Sequence, residues 1–473
     1  MNRDHPRTVL LLISTCCHEA LVRPFLNVAK LIESEGVRVV ALLTDGNCCS
    51  FFSKLKAPAE QRCEGFRAST LETLRDAGLC VVPLSTIPYD STADPRMSHL
   101  VQIEPSTLVA QYASHPLWKT IKTTVTRHCD WDRVPDGTAR LNWKDAATIE
   151  QFLSAATRYQ WIFHHLFTKY CPSHVLLFNG VFYEERIACD IAASLGIDVV
   201  LNESCCFGDR WIFRRFDRKA GIRGSLRLQV PKQHFQLPSK KKATLDSYLR
   251  EVYAGHNNRI YQPEPGFASE TLQKLTVCGK RIALFLGQVP YDTVITEDEM
   301  VSSVEEAVLE AIQVFERHDD WHLVIRLHPG ARQTASHHDR LSETLSKHPS
   351  VEKFTVVKGY EVSTYDLMRI AEMGVTISSQ AGMELLGQHK PVVVLGEAFY
   401  RGNGVTIDRK PDESIRSAIE RGIYFDADDS FNERVDAVLH YWIFEHLTPI
   451  LRGDGSLPVS SAKRILGLFD CVQ

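Results

Sequence analysis

The chain lacks any run approaching the roughly 20 consecutive apolar residues that a membrane-spanning helix needs, so membrane contact is expected to be peripheral. The apolar stretch Val9 to Ile13, behind Arg3 and Arg7, is too short for the hydrophobic region of a secretory signal and predicts a strand instead. A basic excess is also missing: 54 Lys and Arg against 58 Asp and Glu give a formal charge of -4. That balance excludes a surface built as a whole for nucleic acid. No Cys-x-x-Cys pair occurs among the thirteen cysteines, which are odd in number and partly adjacent (Cys16-Cys17, Cys48-Cys49, Cys205-Cys206). This is neither a disulfide framework nor a zinc pattern, and it reads as reduced thiols in a cytoplasmic protein. A Gly-x-Ser-x-Gly elbow and a Walker loop are absent too, which argues against a serine hydrolase and a P-loop kinase.

What is present is length and alternation. At 473 residues and 44% hydrophobic composition, the chain can build two cores, since one core rarely grows beyond about 250–300 residues. Short apolar runs (TVLLLIS from Thr8, VRVVALLTD, LCVVPL, HVLLFNG, DVVLNES ending at Ser204) alternate with helical periodicity at Glu19 to Glu35, Ala146 to Tyr170 and Tyr183 to Leu195. A second series (RIALFLG, WHLVIRLHP, KFTVV, GVTISS, PVVVLG) alternates with helices at Val304 to Phe315, opened by a capping box at Ser303 and Glu306, and near Thr364 to Glu372, Gly382 to Gln388 and Glu413 to Arg421. Strand–helix alternation implies right-handed crossovers and parallel, doubly wound sheets. The predicted class is α/β, with two Rossmann-like domains at 1–260 and 261–431 facing a cleft, and C-terminal helices at 432–473 packing back on the first domain.

Ligands of open parallel sheets lie beyond the carboxyl ends of the strands. In the second series four such ends carry unusual residues: Gln288 to Asp292, His328-Pro329, Ser378-Ser379, and Gly396 followed by Phe399-Tyr400. His328 can donate to a phosphate oxygen from a backbone fixed by Pro329. Ser378 and Ser379 enter a helix through Gly382, which suits a phosphate, and Glu384 on that helix can accept from ribose hydroxyls. Taken singly, a His-Pro closes a loop and two serines cap a helix; convergence at one edge is what points to a nucleotide.

His328-Pro329, Ser378-Ser379, the run Gly382-x-Glu384-x-x-Gly387-x-x-Lys390-Pro391 and Gly396-x-x-Phe399-Tyr400 resemble the capsular polysaccharide synthesis family of GT-B glycosyltransferases, which includes the Kdo transferases. Gln288-Val289-Pro290-x-Asp292 is similar to a segment of the same family. The His-Pro and Ser-Ser elements also resemble bacterial sialyltransferases that use CMP-sugars. The resemblance covers about Arg281 to Gly404 and is thinner over Asn179 to Gly221. It implies a GT-B glycosyltransferase moving Kdo or a related 2-keto acid sugar from a CMP donor, with no further cofactor, to a surface polysaccharide or lipid-linked acceptor. The partners would include the inner-membrane surface or a polysaccharide assembly complex, and no nucleic acid. An acidic residue at an N-domain strand end faces the cleft in that family. Here the position is Glu203, followed by Ser204 and Cys205 where relatives often carry a second acid or a glycine.

The chemistry needs a carboxylate near the anomeric carbon, as base for the acceptor hydroxyl or as nucleophile. Glu203 is the leading candidate, with His18 and Glu19 after the first strand a second acid/base pair. Asp130-Trp-Asp132 and Asp426-Ala-Asp428 fit Asp-x-Asp, but GT-B enzymes stabilise the leaving phosphate with helix dipoles and side chains, so no catalytic metal is expected. From Arg210 to Lys242 the chain carries eleven Lys or Arg and a single acid, Asp217. That is either a solvated surface or a grip on an anionic acceptor or membrane headgroups, with Trp211, Phe213 and Phe216 suited to a sugar or lipid. The alternatives are a sugar-nucleotide epimerase or hydrolase, a polymer phosphotransferase of the same fold, or a non-catalytic scaffold of polysaccharide assembly.

Overall fold

The computed structural model describes residues 7–14, 19–44, 59–89, 115–129, 143–256, 263–266, 269–289, 292, 295, 300–328, 335–358, 361–449 and 457–470. Of these, 19–21, 59–66, 126–129, 143–148 and 335–340 are described as backbone alone. The strands are β1 (Thr8–Ile13), β2 (Arg38–Leu43), β3 (Cys80–Pro83), β4 (His174–Phe178), β5 (Asp198–Ser204), β6 (Arg210–Arg215), β7 (Arg281–Leu286), β8 (Trp321–Arg326), β9 (Phe354–Val357), β10 (Met373–Thr376), β11 (Val392–Val394), β12 (Ile407–Asp408) and β13 (Thr448–Pro449). They form two sheets, ordered β3-β2-β1-β4-β5-β6-β13 and β9-β8-β7-β10-β11-β12. Counted from its own first strand, each begins 3-2-1-4-5-6, the Rossmann order, in which the direction of winding reverses beside the first strand.

In the first sheet β3, β2, β1, β4 and β5 pair in parallel. Parallel neighbours need crossovers, and helices Glu19–Ser34, Ala59–Asp76 and Tyr183–Ser194 supply them. β1 and β4 are buried along their whole length, as strands covered on both faces must be. β6 departs from the pattern. Cys205 N–H donates to the Arg210 carbonyl (3.2 Å) and Phe216 N–H to the Val199 carbonyl (2.8 Å), an antiparallel register closed by a short turn.

Trp211 and Phe213 on β6 are 5% and 4% exposed and lie in the core with Phe25, Val200, Ile465 and Phe469. They are therefore packing residues and not the acceptor-binding aromatics expected from the basic run. Arg210 and Arg214 share the opposite face of the strand with the fully buried Ile212, since a strand shows successive side chains to opposite faces.

All five pairings of the second sheet are parallel. Alternation divides its two faces. Ala283, Phe285, Leu323, Ile325, Met373 and Val375 pack on helices Val304–Phe315 and Ile415–Ile423, while Leu286, Arg326 and Thr376 point to the other face. The helix Val304–Phe315 starts as predicted, with Ser303 Oγ accepting from Glu306 N–H (3.0 Å). Glu306 closes the box on Ser302 N–H (3.0 Å), one residue earlier than the simple motif. Gly374 lets the Leu385 side chain rest on β10, where a Cβ would collide with it.

The compact units divide the chain differently from the expected boundaries. One comprises 1–203, 211–226 and 449–473; the other comprises 204–210 and 227–448. The passage at 227, well before 261, has a packing cause. Helix Ser239–Tyr253 buries Leu245, Leu249 and Val252, and its Tyr253 hydroxyl donates to the Glu384 carbonyl (2.8 Å). Gly387 leaves room for that hydroxyl and for Leu249. Nor does the whole of 432–473 leave the second unit. Helix Asp429–His440 and the π-helix Tyr441–His446 remain in it, with Asp436 accepting from Lys242 (2.6 Å) and paired with His389 (2.8 Å). Only the end returns, where Ile465 and Phe469 enter the first core. No helix among the described residues is long and apolar enough to cross a membrane.

Candidate functional site

Register places the strand-end residues of the second sheet. Leu286 is paired with Arg326 on β8 and with Thr376 on β10, and Thr376 with Val394 on β11. Two residues further on, Gln288, His328, Ser378 and Gly396 stand level across four adjacent strands. Neighbouring strands lie about 4.8 Å apart, so the row is about 14 Å wide, the scale of a nucleotide. The winding reverses between β7 and β10, and there Gln288 and Ser378 are joined. The Gln288 amide nitrogen donates to Ser378 Oγ (2.8 Å), and Ser378 N–H donates to the Gln288 amide oxygen (3.1 Å). Both are 6% exposed. With Oγ already accepting from Gln288, the Ser378 hydroxyl has its proton to offer to an anion.

The turn after β10 is built by its own side chains. Ser379 N–H donates to Thr376 Oγ1 (2.9 Å), and the Tyr400 hydroxyl donates to the Ser379 carbonyl (2.6 Å). Gly382 and Met383 N–H bond back to the carbonyls of Ser379 and Gln380. Helix Ala381–Leu386 has six residues. The amides expected to cradle a phosphate are thus largely engaged within the turn, and an anion here meets hydroxyls first. Gly382 serves the aromatic: a Cβ would strike the Tyr400 hydroxyl.

Glu384 is 9% exposed, and its Oε1 accepts from the Tyr365 hydroxyl (2.7 Å). Burial pushes its carboxyl up, against the Tyr365 hydrogen bond and the Arg326 charge, which hold it down. His328 is pushed down to about 4, first by burial and then by Arg326, with Asp292 opposing. The imidazole is therefore neutral at pH 7 and offers one N–H. The positive charge at this rim comes from Arg326, 5% exposed and two residues before His328 on the same strand face. Pattern reading passed over Arg326, although a cation inside the run WHLVIRL was the available signal. Pro329, Pro290 and Tyr291 lie outside the described residues.

In the first sheet Glu203 sits inside β5, next to its end. The Asn179 side-chain amide, one residue beyond β4, donates to Glu203 Oε2 (2.8 Å), and Val181 N–H donates to Asn179 Oδ1 (3.0 Å). Asn179 thus orients the carboxylate. Gly180, at φ 78°, makes that turn where a Cβ would crowd Ile222 and Leu201. Asn179 was visible only as the Asn-Gly that ends HVLLFNG. Glu19 is the first residue of helix Glu19–Ser34; its side chain and the whole of His18 lie outside the described residues. Arg210 pairs with Asp209 (3.3 Å) and lies over the rings of Tyr248 and Phe444. Of the Asp-x-Asp pairs, Asp130 and Asp132 lie outside the described residues. Asp428 caps helix Asp429–His440, accepting from Phe431 N–H (2.8 Å).

No curated protein matches the sequence. Among solved structures the chain is similar to two structures of Thermosulfurimonas dismutans KpsC. One, a β-Kdo 2,4-transferase, shows 16% identity over 63% of this chain and 87% of that one, TM-score 0.39. The other, a β-Kdo 2,7-transferase, shows 14% identity over 66% and 89%, TM-score 0.37. A glycosyltransferase from Rickettsia africae ESF-5 is 10% identical over 98% of both chains, TM-score 0.38. At such scores these likenesses add nothing to the topology read from the sheets. The family model described as capsule polysaccharide biosynthesis protein matches residues 247–428. That matched segment holds the second sheet and every strand end of the row.

Proposed function

We propose that the protein is a nucleotide-sugar-dependent glycosyltransferase of GT-B type. The donor is a CMP-linked sugar, Kdo or a related 2-keto acid sugar, and the acceptor a surface polysaccharide or lipid-linked glycan at the cytoplasmic face of the inner membrane. The observation that carries this reading is the level row Gln288–His328–Ser378 at the reversal of winding, inside the segment matched by the capsule family. Neutral His328 and the hydroxyls of Ser378 and Ser379 donate to the leaving phosphate, and buried Arg326 supplies the fixed positive potential that stabilises charge as the glycosidic bond breaks. Glu384 accepts from the ribose. Glu203, held by Asn179, acts on the acceptor hydroxyl as base or on the anomeric carbon as nucleophile.

A thermal-shift panel of CMP, CDP, UDP and GDP tests the assignment, because a ligand that binds only the folded state raises its melting temperature by mass action. CMP is expected to give the largest shift, and His328→Ala to abolish it. Equal responses to all four would remove the donor assignment. Turnover of CMP-linked sugars with a glycan acceptor separates transferase from hydrolase, and nucleotide binding without turnover would identify a scaffold.

A further inference from the structure

At the opposite end of the first sheet, three side chains from distant parts of the chain converge. His174 is the first residue of β4, Asp198 the first of β5, and Asp470 follows helix Val459–Leu468. His174 Nε2 lies 3.7 Å from Asp198 Oδ2 and 3.6 Å from Asp470 Oδ2, and one ligand atom from each residue falls within 4.8 Å of the other two. The imidazole is 2% exposed while the carboxylates are 59% and 54% exposed. The buried nitrogen is thus aimed outward between two surface oxygens.

His174 Nδ1 is 3.0 Å from Ser173 Oγ, which lies 3.3 Å from the Thr8 carbonyl. When the hydroxyl donates to that carbonyl, Nδ1–H donates to the hydroxyl and the Nε2 lone pair is left facing the carboxylates. Nε2 is buried with no hydrogen-bond partner among the described residues. Three acceptors pointed at one another repel unless a cation lies among them. A proton on Nε2 is one answer to that geometry, set by the tautomer that the Ser173 hydroxyl selects.

A metal ion answers the same geometry. Tetrahedral zinc with bonds of about 2.0–2.1 Å sets its ligand atoms about 3.4 Å apart, a few tenths of an ångström inside the two distances from His174 Nε2. Asp470 is already oriented as a ligand held by outer partners is. Arg215 pairs with its other oxygen, Oδ1, and also donates to the Leu468 and Gly467 carbonyls (2.9 and 3.0 Å). Arg7 donates to the Asp470 and Phe469 carbonyls (2.9 and 3.2 Å).

We propose that His174, Asp198 and Asp470 bind a divalent transition-metal ion of the zinc type, which ties residues 457–470 to the starts of β4 and β5. One imidazole with two carboxylates suits zinc, and the exposed side of the cluster leaves its remaining positions to water. Glu203 stands five residues further along β5, about 16 Å away at strand rise, so the ion is structural and takes no part in transfer.

The test uses the full chain, stripped with a chelator and given Zn²⁺ alone, with Co²⁺ as the spectroscopic probe. The wild type is expected to retain about one Zn²⁺ per chain through desalting, to melt higher with it, and to show visible Co²⁺ bands. Asp198→Asn and Asp470→Asn, both at exposed positions, should each weaken Zn²⁺ binding at least about tenfold. His174→Gln should abolish it, and all three variants should keep the wild-type nucleotide response. Zinc retention below stoichiometric in the wild type, or unchanged in the variants, would overturn the site. So would a metal-free protein whose stability falls as pH rises through neutrality and loses that slope in Asp470→Asn, since the cluster would then be a protonated histidine between two carboxylates.

Discussion

Replacing Gln288 by Glu separates the fold from the nucleotide. In the wild type the Gln288 side chain both accepts from Ser378 N–H and donates to Ser378 Oγ, at 3.1 and 2.8 Å. A glutamate there keeps the acceptor for the backbone N–H and turns the Ser378 hydroxyl round to donate inward. The turn stays bonded, but the hydroxyl proton is withdrawn from the ligand and a negative charge is set behind it. A phosphate oxygen bonded to Ser378 Oγ would lie about 5 Å from that charge. At an effective dielectric of about 20, two unit charges at that distance repel by about 3 kcal/mol, a loss of roughly two hundredfold in affinity. The contrasting change is Gln288→Leu, which strands a buried N–H and breaks both bonds, for an expected cost of about 2–4 kcal/mol of stability. Calorimetric titration with CMP at pH 8, where the new carboxylate is ionised, reads binding; urea unfolding reads stability. Wild-type CMP affinity in Gln288→Glu would refute a phosphate beside the reversal of winding, whatever the nucleotide.

The remaining expectations follow from the same sites. Because His328 is held down to about 4, the unfolded chain takes up its proton first on acidification. Stability should fall between about pH 6.5 and 4, by up to about 3 kcal/mol, with the slope flattened in His328→Gln. Urea midpoints across that range check it, and an unchanged slope would mean that the imidazole is charged in the folded protein. Glu203→Gln should abolish sugar transfer while leaving the CMP thermal shift intact, and Asn179→Ala should lower kcat with little change in donor KM. Transfer surviving in Glu203→Gln would reassign the carboxylate. Gly382→Ala should cost about 1–3 kcal/mol by pressing a methyl group on the Tyr400 hydroxyl, and Tyr400→Phe in the same chain should recover part of that, measured as a coupling energy in a double-mutant cycle.

By itself the sequence determined the local elements and the alphabet of the site. Continuous apolar runs such as Val9–Ile13 and Ile282–Leu286 can be buried on both faces only as interior parallel strands, and the capping serine before Val304 starts its helix where the pattern says. Gln288, His328 and Ser378 stood out because polar groups closing apolar strands have a cost unless they are used. The hairpin strand Arg210–Arg215 was hidden, since the arginines at its two ends mask the short buried stretch Trp211, Ile212 and Phe213. Helix Ser239–Tyr253 was obscured by the lysines of its first turn. Only the tertiary structure decided which strands are neighbours. Register sets Gln288 against Ser378 across ninety positions of sequence, and packing brings the Tyr365 hydroxyl to Glu384 and the Tyr400 hydroxyl to the Ser379 carbonyl. It likewise decided that Asn179 steadies Glu203, and that the basic run divides between the two units. Periodicity reports how a segment buries its own side chains; which distant segment it meets depends on the strand order of the whole sheet, and no local pattern encodes that.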